Sequence, residues 1–135
     1  MKTKKEVKKV KITERGYAGH FCGASNCMFR RNTLIEYGDK RIVVSTVGNY
    51  RPRLNEKLKK EDQEIGINRF YETMAFEAKK EGVYWEADVS KQVDFNNRWT
   101  INELEQETDF KADEMHERIV KELSLKLPLS RRGNK

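Results

Sequence analysis

The residues of this chain best suited to chemistry are arginines set beside aromatic or amide groups. Arg30 and Arg31 fall in the middle of CMFRRNTLIEY, a segment whose alternation and β-branched residues read as a strand. Successive strand side chains face opposite ways, so one guanidinium must point to the covered face. There it needs a carboxylate or an anionic ligand. Glu36, Glu72 and Glu77 are the candidate carboxylates, and a bound phosphate is the alternative, with Arg30 the favoured ligand contact. Arg98 stands between Asn97 and Trp99, where its planar fork suits a phosphate, Asn97 adds an amide, and Trp99 is either a flat wall or an apolar staple. Arg51 lies in a polar stretch from which it could close over phosphate. Phe70 and Met74 are spaced one helical turn apart; they either pack in a core or give an adenine ring a stacking surface and a soft floor.

Other chemistries find less support. His20, Cys22 and Cys27 follow a spacing that is loose for structural zinc, which needs four tetrahedral ligands, and His116 is remote in sequence. A cysteine nucleophile paired with either histidine is conceivable, yet nothing in the spacing favours it. The sequence carries neither the phosphate-binding loop of ATPases nor the glycine fingerprint of dinucleotide enzymes. Asp113 and Glu114 read as a solvated helix face. No catalytic residue, metal site or cofactor is therefore expected.

These side chains must be positioned by a small set of elements. Val7, Val10 and Ile12 suggest a short first strand. Cys27 to Tyr37 and Arg41 to Val47 form a hairpin about the turn Tyr37-Gly38-Asp39-Lys40. Gly48 to Gly66 reads as a long polar loop. Ile67, Phe70, Tyr71, Met74, Ala75 and Ala78 recur at i, i+3, i+4 spacing and predict a central helix ended by Gly82. Val83 to Phe95 alternates as a second strand region. Thr100 to Glu103 offers a capping box, and a longer helix follows from about Asp109 to Leu127, with Phe110, Met115, Ile119, Val120 and Leu123 on one side and Pro128 as its stop. The predicted class is α+β: an N-terminal, mostly antiparallel β-sheet with one central helix and a C-terminal helix. Residues 1–13 are a basic arm and first strand, 14–127 a single ligand-binding domain, and 128–135 a basic tail.

The chain has 135 residues, 36% hydrophobic and 37% charged, so its core material is thin and sharing apolar surface with another subunit is favoured. Its net charge of +6 favours anionic partners. Six of the first eleven residues are lysines, so much of the excess sits in a basic arm of the kind that is usually solvated. No apolar run approaches the roughly 18 residues of a membrane span, and no apolar stretch follows the N-terminal charges as in a secretory signal. Two cysteines fit reduced thiols in a cytosol.

The strings ERGYAGHFCGASNCMFRRNTLIEYGDKRIVVSTVG, NRFYETMAFEA, YWEADVSKQ and ADEMHERIVKEL resemble the first family of Thoeris anti-defence proteins carried by phages. The resemblance runs from about Glu14 to Leu123. It implies a sponge in the host cytoplasm, which binds the cyclic ADP-ribose isomer made by bacterial Thoeris defence and keeps it from its effector without cleaving it. It also implies a homo-oligomer, a dimer or hexamer, with pockets where protomers meet; some members hold cyclic oligonucleotides at separate sites. Neither a membrane nor a stable nucleic-acid partner is expected. The assignment of Arg30, Arg51 and Arg98 to pyrophosphate, Phe70 and Met74 to adenine, and Asn97 to a ribose or base edge rests on residue chemistry. Two other readings stand beside it: a nucleic-acid-binding accessory protein that uses its basic tails, and a hydrolase that opens the cyclic messenger.

Overall fold

The computed structural model describes residues 9–15, 20, 27–50, 63–66, 69–93, 100–103 and 108–129. Strands β1 (Lys11–Glu14), β2 (Cys27–Tyr37), β3 (Lys40–Tyr50), β4 (Tyr71–Glu81) and β5 (Tyr84–Gln92) lie side by side in chain order, each antiparallel to the next. A short β6 (Thr100–Ile101) pairs with the start of β4, and one long helix, α1 (Thr108–Lys126), follows and runs into a 3₁₀ turn at Leu127–Leu129. The α+β class with a mostly antiparallel sheet and a C-terminal helix holds. Among the described residues, no helix is long and apolar enough to cross a membrane.

The central helix does not form. Tyr71–Glu81 is strand β4, flanked by β3 on one side and by β5 and β6 on the other. The helical spacing misleads here because the first half of the strand is buried on both faces. Tyr71, Thr73 and Ala75 point toward α1 while Phe76 and the partly buried Met74 point the other way, so apolar residues fall at both parities and the period of two is hidden. Gly82 ends no helix. With Val83 it makes a two-residue hairpin loop, and its φ of 62° matches the 61° of Gly38 in the β2–β3 turn. The expected capping box at Thr100–Glu103 is absent as well. Thr100 and Ile101 extend the sheet instead, with the Ile101 carbonyl accepting from the Phe70 amide at 2.9 Å.

Helix α1 buries Ala112, Met115, His116, Ile119, Val120 and Leu123, a stripe at helical spacing, against Ile35, Ile42, Val44, Tyr71 and Ala75 of the sheet. Phe110, expected on that stripe, is instead 61% exposed, and Ala112 and His116 fill the inward positions. Gly48 lies opposite Tyr71, whose ring rests on its Cα so closely that a Cβ there would overlap the ring and the Phe70 carbonyl. The Tyr71 hydroxyl donates to Asp109 in the first turn of α1, which ties the helix start to the sheet.

His116 is fully buried at the centre of this interface. Burial first, then the charge of Arg31, pushes its pKa down to about 4, so the ring is neutral near pH 7. Its hydrogen bonds then have one self-consistent direction. Glu14 is held ionised because hydrogen bonds from Arg31 and Thr33 outweigh the opposing effect of burial. A carboxylate only accepts, so the Thr33 hydroxyl donates to Glu14 at 2.7 Å and accepts the His116 Nε2–H at 2.7 Å. Nδ1 accepts from Thr46 at 2.7 Å, and Thr46 accepts from Thr73 at 2.6 Å. Four strands and the helix are thereby linked by a single directed chain.

Candidate functional site

The register sorts side chains into two sets. Arg31, Thr33, Thr46 and Thr73 face α1; Arg30, Asn32, Ser45, Val47, Glu72 and Met74 face away from it. The pair Arg30–Arg31 is split as alternation requires. Arg31 is the inward member, and its partners are Glu14 at 2.6 Å, Asp113 at 2.8 Å and Glu117 at 2.7 Å, none of the three carboxylates expected from the sequence. Asp113 is thus an ion-pair partner as well as part of a charged helix face. Arg30 is exposed and makes no hydrogen bond or ion pair among the described residues.

Phe70 and Met74 do not form one platform. Phe70 is 3% exposed in the core beneath α1, whereas Met74 is on the other face beside Ser45: Phe70 sits in a bend just before β4, outside the alternation that carries Met74 away from the helix. Arg51, Asn97 and Arg98 lie outside the described residues, as does Cys22.

The helix-free face carries a polar cluster that sequence reasoning missed. His20 lies across it: its amide and its Nδ1 meet the Ser45 hydroxyl at 3.0 and 2.9 Å, its Nε2 is 3.4 Å from Glu72, and its ring packs on Phe76. The Ser45 oxygen already accepts the His20 amide and is 1% exposed, so it is poorly placed to attack a substrate. Arg15 forks onto the Asn32 side-chain oxygen at 3.0 and 2.8 Å and also donates to the Trp85 carbonyl. That last bond joins the two outermost strands and requires β5 to curl over this face; the shift in register between Phe76 and Ala78 bends the strand accordingly. Cys27 is buried, and burial pushes its thiol up to about 11, away from reactive thiolate character. Among the described residues no cluster of His, Cys, Asp and Glu could hold a metal ion.

The two ends of the sheet differ. At the β2-start end, where Arg30, Val47 and Glu72 form one cross-strand row, two buried polar atoms have no hydrogen-bond partner among the described residues: Asn49 Oδ1 and Arg69 Nε. Arg69 approaches Glu72 only to 3.6 Å, and Asn49 adopts φ 56° while its amide donates to the Phe70 carbonyl. Buried polar atoms are rarely left alone, so this end has unspent hydrogen-bonding capacity. At the hairpin end a cleft of about 490 Å³ opens between the β2–β3 turn, the outer half of β4, Trp85 and Leu127. The lone histidine on an apolar helix stripe and the mid-strand threonines Thr33, Thr46 and Thr73 were the available sign of the inner polar chain; no comparable pattern announces His20. The chain matches no protein-family model, no curated protein and no solved structure.

Proposed function

We propose that this chain is a phage anti-defence sponge of the Thoeris-countering kind, which captures a cyclic ADP-ribose isomer in the host cytoplasm and holds it uncleaved, as a homo-oligomer. The observation that carries the reading is the concentration of unspent polar groups at one end of the sheet. Arg30 has no partner among the described residues, and Arg69 Nε and Asn49 Oδ1 are buried without one. A ligand with pyrophosphate oxygens and ribose hydroxyls supplies acceptors for the two guanidiniums and a donor for the amide oxygen. Met74 adds a soft apolar surface on the same face. The expected contacts of Arg51, Asn97 and Arg98 rest on residue chemistry and lie outside the described residues; Phe70 is in the core and does not stack on the base.

The energetics suit a stoichiometric trap. A ligand of roughly 35 heavy atoms at about 0.3 kcal/mol each gives roughly −10 kcal/mol, a dissociation constant in the tens of nanomolar. Titration calorimetry of the purified chain with cyclic ADP-ribose isomers tests this, with tight saturable binding expected for at least one of them. Failure of every isomer to bind, with steeply salt-dependent affinity for DNA or RNA that vanishes on removing the basic tails, residues 1–11 and 131–135, would favour the nucleic-acid reading instead.

A further inference from the structure

The cleft at the hairpin end lies at the other end of the sheet from Arg30 and takes no part in the reading above. Its wall is built around Arg41. The guanidinium lies over the Trp85 ring, with Cζ 4.2 Å from the ring centroid, and its Nε donates to Glu36 at 3.0 Å. Those two contacts fix its plane and use its inner edge. Its two terminal nitrogens make no hydrogen bond among the described residues. Lys40 adds a second cation on the rim, with its Nζ 3.3 Å from the Leu127 carbonyl. Ile42, Ala78 and Leu127 supply apolar lining, and Asp39 and Glu77 place carboxylates on the rim.

We infer that this cleft is a ligand site for a small organic molecule bearing one oxyanion, a phosphate or a carboxylate, on a flat apolar body. The terminal nitrogens of a guanidinium held in plane are the geometry that forks onto two oxygens of one anionic group. The apolar lining takes the body of the ligand, and the volume is within the usual range for small-molecule pockets. The rim carboxylates set the charge limit. With Glu36 on Arg41 and the Lys80 Nζ 5.4 Å from the Trp85 centroid, three carboxylates (Glu36, Asp39, Glu77) face three cations (Lys40, Arg41, Lys80), so a polyphosphate or a second anionic group meets repulsion that a single oxyanion avoids.

The chain has two tryptophans, so the indole N–H of Trp85 can be assigned in an NMR spectrum by comparison with Trp85→Phe, leaving Trp99 as an internal reference. Phenyl phosphate, benzoate, benzyl alcohol, inorganic phosphate and ADP are each titrated into the intact protein. Phenyl phosphate or benzoate is expected to shift the Trp85 signal with a dissociation constant of about 1 mM, as befits a fragment of that size, and whichever binds tighter separates phosphate from carboxylate. Benzyl alcohol, inorganic phosphate and ADP are expected to bind at least tenfold more weakly. Arg41→Met, which keeps the apolar stem over Trp85, should abolish the shift, and Arg41→Lys should weaken it about tenfold, both with an unchanged melting temperature. If neither aromatic anion moves the Trp85 signal, or Arg41→Met binds them as the parent does, the inference is wrong. If ADP binds as tightly as phenyl phosphate, the single-charge limit is wrong. Because cyclic ADP-ribose capture is assigned to the opposite end, loss of this site leaves that binding intact.

Discussion

Beneath α1, the threonine hydroxyls and both nitrogens of His116 are satisfied by one another and by Glu14. Across the sheet, Arg30 and the terminal nitrogens of Arg41 meet no partner among the described residues, and near the Arg30 end Asn49 Oδ1 and Arg69 Nε are buried without one. Both faces are rich in polar groups, but only one is closed. A satisfied buried network stabilises and orients the elements it joins, whereas unsatisfied groups held in place are poised for something the chain does not itself supply. The inner face therefore reads as architecture and the outer one as recognition.

Substitutions can break or sharpen that contrast. The largest effect is expected for His116→Ala, which empties a fully buried position and strands the Thr33 and Thr46 hydroxyls. A loss on the order of 3–5 kcal/mol in urea unfolding is expected, with ligand affinity unchanged under conditions where the variant stays folded. Gly48→Ala should follow, at about 1–3 kcal/mol, because the new methyl collides with Tyr71 and the adjacent carbonyl. Arg30→Ala should do the reverse of both. Its stability should stay within about 0.5 kcal/mol of the parent while affinity for the cyclic ligand falls about 10- to 100-fold, the loss expected for a charged hydrogen-bonding partner. Equal effects of Arg30→Ala on stability and binding would erase the distinction between the faces.

The smallest and most specific effect is on pH dependence. The unfolded chain protonates its histidines near 6.5, whereas folded His116 resists until about 4. The folded pKa is depressed, so stability present above about 6.5 is lost progressively as pH falls toward 4. Glu14, also depressed, adds a loss of the same sign at the acid end. On the alkaline side the raised pKa values of Cys27 and Tyr71 work the other way, so stability declines as pH rises above about 9. Melting temperatures across pH 4–7 should fall less steeply toward acid in His116→Gln than in the parent; equal slopes would show that the His116 chain is not the source.

Part of this arrangement was legible in the sequence. The β2–β3 hairpin follows from a two-residue glycine turn between alternating segments, and the C-terminal helix from its apolar stripe. The split of Arg30 from Arg31 follows from alternation alone. Burial on both sides of β4 masks its period of two and imitates helical spacing, although Gly82-Val83 carries the same turn chemistry as Gly38-Asp39. Partner choice was not legible at all. Arg31 finds Asp113 82 residues away and His20 finds Ser45 25 residues away, pairings set by how the sheet curls and where α1 docks, not by local spacing.

The central claim is capture without chemistry, and recovery of the captured molecule tests it most directly. Purified protein is saturated with a cyclic ADP-ribose isomer, freed of excess by gel filtration, heat-denatured, and the supernatant resolved by chromatography with mass detection. The account predicts the cyclic ligand returned at its original mass and retention time, in proportion to the protein. Recovery of only linear or hydrolysed product, or of no ligand at all, would contradict it.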